Sequence, residues 1–518
     1  MDTKIPKIIF IIIIAIILRS WQIAKLPSLN PDEAALGYNA YSLIETGRDE
    51  HGLSWPLHFK SFGDYKPGGY VYLAIPFVKV LGLTPLAVRL PNLIFSVLTI
   101  LVLYKLIFLL TKDSRISNLV SIVLSISPWH LQFSRGAWES STALFFIVLG
   151  IYFFYKYLSS PKSPYRFLFP LPFVASLYIY HSARLISPLI VIVLFLFNHK
   201  LLISSYKKLI VPSLFAILFA IPVLYSFLNS GGTARFGGVG LTADRGPLSR
   251  SEELLNQHGN VALVNRIMHN RRVMYALSWV KKYTSHFDPN FLFITGDEVP
   301  RSKNPDMGQL YLLELPFLIL GILSLLRHQS FSTLKNLVIA LLFISPVASS
   351  LTFQAPSALR ALPLVIPLSI LVAFGLSQII SNSKFTIKLL IYLTYFLSFL
   401  YYLDSYYLHA PKRYSFAWNS GFSEIVPFIE INKKNYQNIY LTNKYDQPYI
   451  LYLFFSKYDP QSLQSQIFLT PPDQFGFSTV EKIDNITFKV PSDIPPGSLV
   501  IDASDYESTG KSFKIYTK

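Results

Sequence analysis

The chain has 518 residues, 52% of them hydrophobic and only 14% charged. Soluble domains average about 25% charged, so a string of three or so water-soluble globular units is excluded, and the mean hydropathy of +0.40 agrees. The net charge is +17; in a chain this apolar, the surplus lysines and arginines belong in cytoplasmic loops and beside anionic headgroups, not on nucleic acid. With no cysteine, disulfides, thiolate metal sites and cysteine nucleophiles are excluded as well.

The first apolar run, Ile5 to Leu18, lies among Lys4, Lys7 and Arg19 and lacks a small-residue cleavage site. It is expected to be an uncleaved anchor continuing to about Leu26, with the N-terminus inside. Further spans are expected at roughly 91–110, 116–134, 139–155, 167–181, 184–198, 209–228, 310–326, 336–353, 360–380 and 386–403. With the anchor this gives about eleven helices, since only helices satisfy the backbone in lipid without closing a barrel.

With the N-terminus inside, the short cytoplasmic connections carry Lys112, Arg115, Lys156, Lys162, Arg166, Lys200, Lys207, Lys208, Arg327, Lys335, Lys384 and Lys388. Their acids, tail included, are only Asp2 and Asp113. This is a strong positive-inside bias. It leaves three large outside pieces, about 27–90, 229–309 and 405–518, and divides the chain into a membrane unit, 1–404, and an outer unit, 405–518. In the outer unit, Asn438–Asn443, Tyr449–Phe455, Gln466–Thr470, Ile486–Val490 and Ser498–Ile501 read as strands and Glu424–Lys433 as a helix, which predicts a small α/β domain. Residues 229–260, with Gly231-Gly232 and Gly237-Gly238, read as a mobile loop.

Charges at a membrane boundary are costly and default to functional candidates. Asp32 and Glu33 follow the first span; they either cap a short helix or hold a carboxylate ready to act as a general base. Asp64-Tyr65-Lys66-Pro67 offers a compact cation for a phosphate, or a snorkelling lysine. Arg135 and Glu139 either form a helical ion pair four residues apart or place a second acid across a cavity from Asp32. His181 and Arg184 occupy a short outer turn, and Arg360 opens a late helix. Lys66, Arg184 and Arg360 together suit a lipid-linked phosphate. No HxxH or HExxH spacing appears, so a histidine metal site is not expected; a divalent ion on Asp32 and Glu139 stays open. There is no Walker loop, and nucleotide-driven chemistry lacks support.

Asn30-Pro31-Asp32-Glu33, then Gly63-Asp64-Tyr65-Lys66-Pro67, then Ala87-Val88-Arg89-Leu90-Pro91 form an ordered set on one predicted side of the membrane. The set resembles the polytopic glycosyltransferases that use polyprenyl-phosphate sugars: the protein O-mannosyltransferases and the lipid A aminoarabinose transferases. Ser127-Pro128-Trp129-His130, Glu139, Tyr180-His181-Ser182-Ala183-Arg184, Phe291-Leu292-Phe293 with Gly296, and Gly308-Gln309-Leu310-Tyr311 fit a bacterial branch of that group.

The resemblance implies a mainly α, GT-C-like membrane bundle in the plasma membrane. It also implies inverting transfer from a polyprenyl-phosphate sugar to a lipid, glycan or protein acceptor on the outer face. By the same resemblance Asp32 is the general base, Glu33 its neighbour in the motif, Glu139 the second acid, and Lys66 the donor-phosphate contact. Arg184 and Arg360 stand beside that phosphate, with Arg135, His181 and Tyr65 in support. Gly68-Gly69 and the use of Glu at position 139 depart from the family pattern. The competing reading is a transporter or flippase of lipid-linked saccharides, which should favour inverted repeats and mid-membrane charges. The candidate charges here cluster at one boundary.

Overall fold

A computed structural model describes residues 7–160, 164–204, 206–229, 240–257, 263, 267–327, 331–471 and 478–518. Among them, six helices are long and apolar enough to cross a membrane: Pro85–Thr111, Glu139–Ser159, Leu209–Ser226, Ser332–Ser350, Leu362–Asn382 and Phe385–Arg413. Shorter apolar helices include Ser114–Ile126, Tyr165–Ile179 and Ala183–Phe197. The molecule is a multi-pass membrane protein. One expected span, 116–134, is two helices: Ser127 ends the first, and its Oγ accepts from His130 N at 3.4 Å to start Pro128–Ser134. Proline at the first helical position has no N–H to lose, so the break is set locally. The last membrane helix continues past the expected boundary at 404 to Arg413.

The opening helix, α1 (Lys7–Ser20), ends in a turn whose carbonyls have no helical partner. Two fully buried arginines, Arg135 and Arg89, supply the donors, and a third, Arg19, ties α1 itself to the helix break at Ser127. Arg135 donates to Leu18 O at 2.7 Å and Trp21 O at 2.6 Å. Arg89 donates to Ile23 O at 2.7 Å and Pro27 O at 2.9 Å. Arg19 donates to Ser125 O at 3.1 Å and to His130 Nδ1 at 2.7 Å. The chain then enters α2 (Pro31–Thr46), where Asn30, and not Asp32, is the cap: its side chain accepts from Glu33 N, and Glu33 reaches back to Asn30 N. This reciprocal arrangement satisfies two end donors at once.

A hairpin follows, β1 (His58–Ser61) antiparallel to β2 (Asp64–Pro67). Phe62 and Gly63 at its tip have φ of 56° and 84°, the doubly left-handed turn that matches strand twist. The chain continues into α3 (Gly69–Leu81) and α4 (Pro85–Thr111). Gly69 settles the geometry that the family departure left open: a Cβ there would meet Tyr178 O at 2.6 Å. The hairpin exit thus lies directly on the backbone of helix Pro170–Ile179.

The outer domain is a five-stranded sheet in the order β4-β5-β3-β6-β7, from β3 (Ile439–Leu441), β4 (Lys482–Ile483), β5 (Ile486–Thr487), β6 (Leu499–Ala503) and β7 (Phe513–Thr517). Strand β3 runs parallel to β5 and β6, while β4 and β7 close the edges antiparallel. Phe422–Asn432 is a helix, close to the expected one. Tyr449–Phe455 corrects the reading: it lies in a helix, Pro448–Ser456, with every residue from Tyr449 to Phe454 buried. A short run apolar on all sides has no period to read, so burial on several faces looks the same in either element. Gln466–Thr470 is not a strand; only Leu469 bridges, to Val480. Within 229–260, residues 230–239 and 258–260 lie outside the described residues, and Gly246–Gln257 is a helix where a loop was expected.

Two cores result. One fills the membrane bundle. The other joins α2, α3 and the hairpin (Leu36, Phe59, Phe62, Tyr70) to the outer domain (Ile439, Tyr449, Phe454, Ile501). Arg89 also donates from Nε and Nη2 to the two oxygens of buried Glu33, so replacing Arg89 by Met should leave Glu33 buried without its bidentate partner, at a cost of about 3–5 kcal/mol. Thermal denaturation in detergent tests this, and a midpoint equal to wild type contradicts it.

Candidate functional site

The site forms where α2 begins. Glu33 is buried, and both oxygens are committed to protein groups: Arg89 Nε donates to Oε1 and Nη2 to Oε2, each at 2.7 Å. Ala137 N donates to Oε1 at 2.7 Å. This carboxylate fastens the loop Gly136–Trp138 against α2, so α7 (Glu139–Ser159) starts beside the acidic motif. Glu139 is half-buried, and its charge reaches Tyr70 alongside that of Glu33.

Asp32 turns the other way. Its side chain is 41% exposed and pairs with Lys66 Nζ, which is 15% exposed. The hairpin delivers that lysine, whose ammonium lies 5.0 Å from the ring centre of Phe62. Alternation along β2 sends Tyr65 to the opposite face from Lys66.

Arg184 ties the start of β1 to helix Ala183–Phe197 through His58 and donates to Leu177 O at 3.2 Å, with His181 Nδ1 at 3.5 Å. Burial, then the Arg184 charge, push the His58 imidazole down to about 4, so it stays neutral. Arg360 donates to Gln354 O at 3.1 Å. With Ser140, Tyr180 and Ser182 it lines a narrow gap beside the start of α7. Arg135 forms no helix turn with Glu139; it ends Pro128–Ser134, donates to Tyr406 Oη at 3.0 Å and supports the α1 turn.

The Phe291-Leu292-Phe293 and Gln309-Leu310 motifs meet each other: Leu310 N donates to Leu292 O at 2.7 Å, and Trp129 N to Gln309 O at 3.2 Å. Among the described residues, no three His, Asp or Glu side chains come together in a way that would hold a metal ion.

Two groups escaped sequence reasoning. Arg89 stood within a quoted motif, but only the fold reveals its partner. Asp446, before helix Pro448–Ser456, is exposed; desolvation, then the Asp32 charge, push its carboxyl up, while Arg301 and Lys66 oppose this. No local signal sets it apart from an ordinary turn aspartate.

Residues 9–229 match the sequence profile of the dolichyl-phosphate-mannose-protein mannosyltransferase family. The fold is similar to that of ArnT from Cupriavidus metallidurans in the apo state, with TM-score 0.54 and 11% identity over 97% of this chain and 94% of that one. The same protein bound to undecaprenyl phosphate gives TM-score 0.51 and 11% identity over 88% of each chain. No curated protein matches the sequence. In fold, and in the pattern of its first 229 residues, the chain resembles the GT-C glycosyltransferases.

Behind the site, the loop after α2 buries a second acid. Glu50 is 0% exposed, and His51 Nε2 lies 3.6 Å from Oε1. Burial, then the Asp49 charge, push Glu50 up to about 8, and burial pushes His51 down to about 4. From the ordinary carboxyl value of 4.5 up to about 8, the folded state keeps a proton that the unfolded chain has released. Stability therefore falls as pH rises through that window. Glu50→Gln should remove the loss, with a melting advantage of about 2–4 °C that is largest near pH 8 and vanishes below the ordinary value. Melting curves across pH check this; a pH-independent difference contradicts it.

Proposed function

We propose that the chain is an integral membrane glycosyltransferase that moves a sugar from a polyprenyl-phosphate donor to an acceptor at the face carrying the outer domain. That face is extracytoplasmic and the N-terminus cytoplasmic, a reading supported by the basic residues of the opposite connections. The donor assignment is supported by ArnT, which shares the fold and has been solved with undecaprenyl phosphate. The acceptor is a lipid, a glycan or a protein, and membrane lipids surround the bundle. The observation that carries the reading is the half-open Asp32–Lys66 pair at the start of α2.

In the reaction, the bond from the anomeric carbon to the donor phosphate oxygen breaks as the acceptor oxygen or nitrogen attacks from the opposite side, inverting the centre. The acceptor's proton passes to Asp32, and the electron pair of the broken bond leaves on the lipid phosphate. Lys66 stabilises that developing charge in a partly dehydrated site, where a fixed cation counts for more than in water. While Lys66 rests on Asp32 it makes the carboxylate a weaker base. An arriving phosphate competes for the ammonium, so donor binding releases the base. Arg184 and Arg360, with His181, Tyr65 and Arg135 in support, shape the donor side; Glu139 is the second acid, and Glu33 holds the motif in place. No step is assigned to a metal ion.

Asp32→Asn should lower turnover about 10²–10⁴-fold with donor affinity largely kept, measured as product from a radiolabelled polyprenyl-phosphate sugar. Wild-type turnover in that variant would reject the base assignment. Lys66→Ala should raise the donor concentration for half-maximal rate by about tenfold or more; an unaltered donor titration removes Lys66 from the phosphate site.

A further inference from the structure

The helix Pro448–Ser456 of the outer domain lies alongside α2, with its N-terminal end by the hairpin tip and its C-terminal end further along α2. At the far end, Tyr38 Oη donates to Tyr458 O at 3.0 Å. At the near end, the Tyr449 ring packs on Phe62 at 6.1 Å, and Phe62 in turn lies under the Lys66 ammonium. Ser478 N donates to Phe62 O at 2.9 Å, and Gln447 Nε2 reaches Ser478 O at 3.4 Å. Asn419 Nδ2 donates to Asp446 O at 2.9 Å. These contacts hold the backbone of Asp446 next to the Phe62 turn over which Lys66 lies, while its side chain stays exposed. Burial, then the Asp32 charge, push the Asp446 carboxyl up, while Arg301 and Lys66 pull it down. On its other side, Asn419 lines a cleft of about 840 Å³ between the end of α1 and the outer domain, with Lys25, Ser28 and Ser420.

We infer that Asp446 is the acceptor-binding residue that the outer domain contributes to the site: its carboxylate accepts a hydrogen bond from the acceptor's hydroxyl or ammonium group and faces Asp32 across the attacking atom. The inference rests on the transfer reading above and narrows it. Two carboxylates flank the nucleophile, so the acceptor carries no phosphate or carboxylate at its reacting end. The outer domain thereby selects the acceptor, while the membrane unit holds the donor.

The test uses the full chain, a radiolabelled polyprenyl-phosphate sugar, and an envelope extract of the native host as acceptor pool. Asp446→Asn should raise the extract concentration for half-maximal transfer by about tenfold, the loss of one charge-assisted hydrogen bond. Donor half-saturation should stay within about twofold, and Asp446→Glu should recover part of the loss.

A second measurement does not depend on that variant's folding. Because the chain has no cysteine, Asp446→Cys carries a single thiol, whose maleimide labelling the extract should block and undecaprenyl phosphate should not. Unchanged acceptor dependence, or protection by undecaprenyl phosphate alone, overturns the assignment of Asp446 and leaves the transfer reading standing. A wild-type protein that makes no product with any polyprenyl-phosphate sugar overturns both.

Discussion

A buried carboxylate meeting a buried guanidinium decides where everything else in the site can be. Glu33 and Arg89 are both almost fully enclosed, and such a pair is tolerable only when the remaining donors and acceptors are filled. Here they are filled by the parts that must be held together. Arg89 turns its spare N–H groups to carbonyls of the α1–α2 connection. Glu33 takes Asn30 and Ala137 as further donors. One ion pair therefore joins the end of the opening helix, the first turn of α2, the start of α4 and the loop before α7. If it formed differently, Asp32 would not stand against Lys66.

The neighbouring pair has opposite physics. Asp32 and Lys66 are partly open to water, where an ion pair adds about 0–1 kcal/mol at most. It contributes little to holding the fold and is cheap to exchange. Adjacent residues of one motif thus divide the work: the enclosed acid builds the scaffold, and the half-open one pairs with Lys66 at its edge. Counting both as equivalent acids, as residue type alone suggests, loses that distinction.

Much of the membrane unit was legible because long apolar runs bounded by basic residues admit few other structures. Asp32 and Lys66 were legible for a related reason, since charges at a membrane boundary are conspicuous. What stayed hidden depended on contacts between distant segments. The partner of Arg89 lies 56 residues away, and Arg135 went to the α1 turn and Tyr406 instead of the residue four positions on. The helix Pro448–Ser456 is apolar on all sides because it is sandwiched between the sheet and α2, and that sandwich is invisible to periodicity. Asp446 inherits its position from this helix, so it was hidden for the same reason.

The outer domain is therefore not an appendage. It shares a hydrophobic core with α2, α3 and the hairpin, and Gln464 extends the contact by donating to Asp49 O at 2.9 Å. Removing it would expose the faces of α2 and the hairpin that set Lys66 against Asp32. A site at this seam has walls of two kinds. The bundle side offers close-packed helices beside lipid, and the outer side offers polar loops open to water. The shared core is what holds these two walls at a fixed spacing.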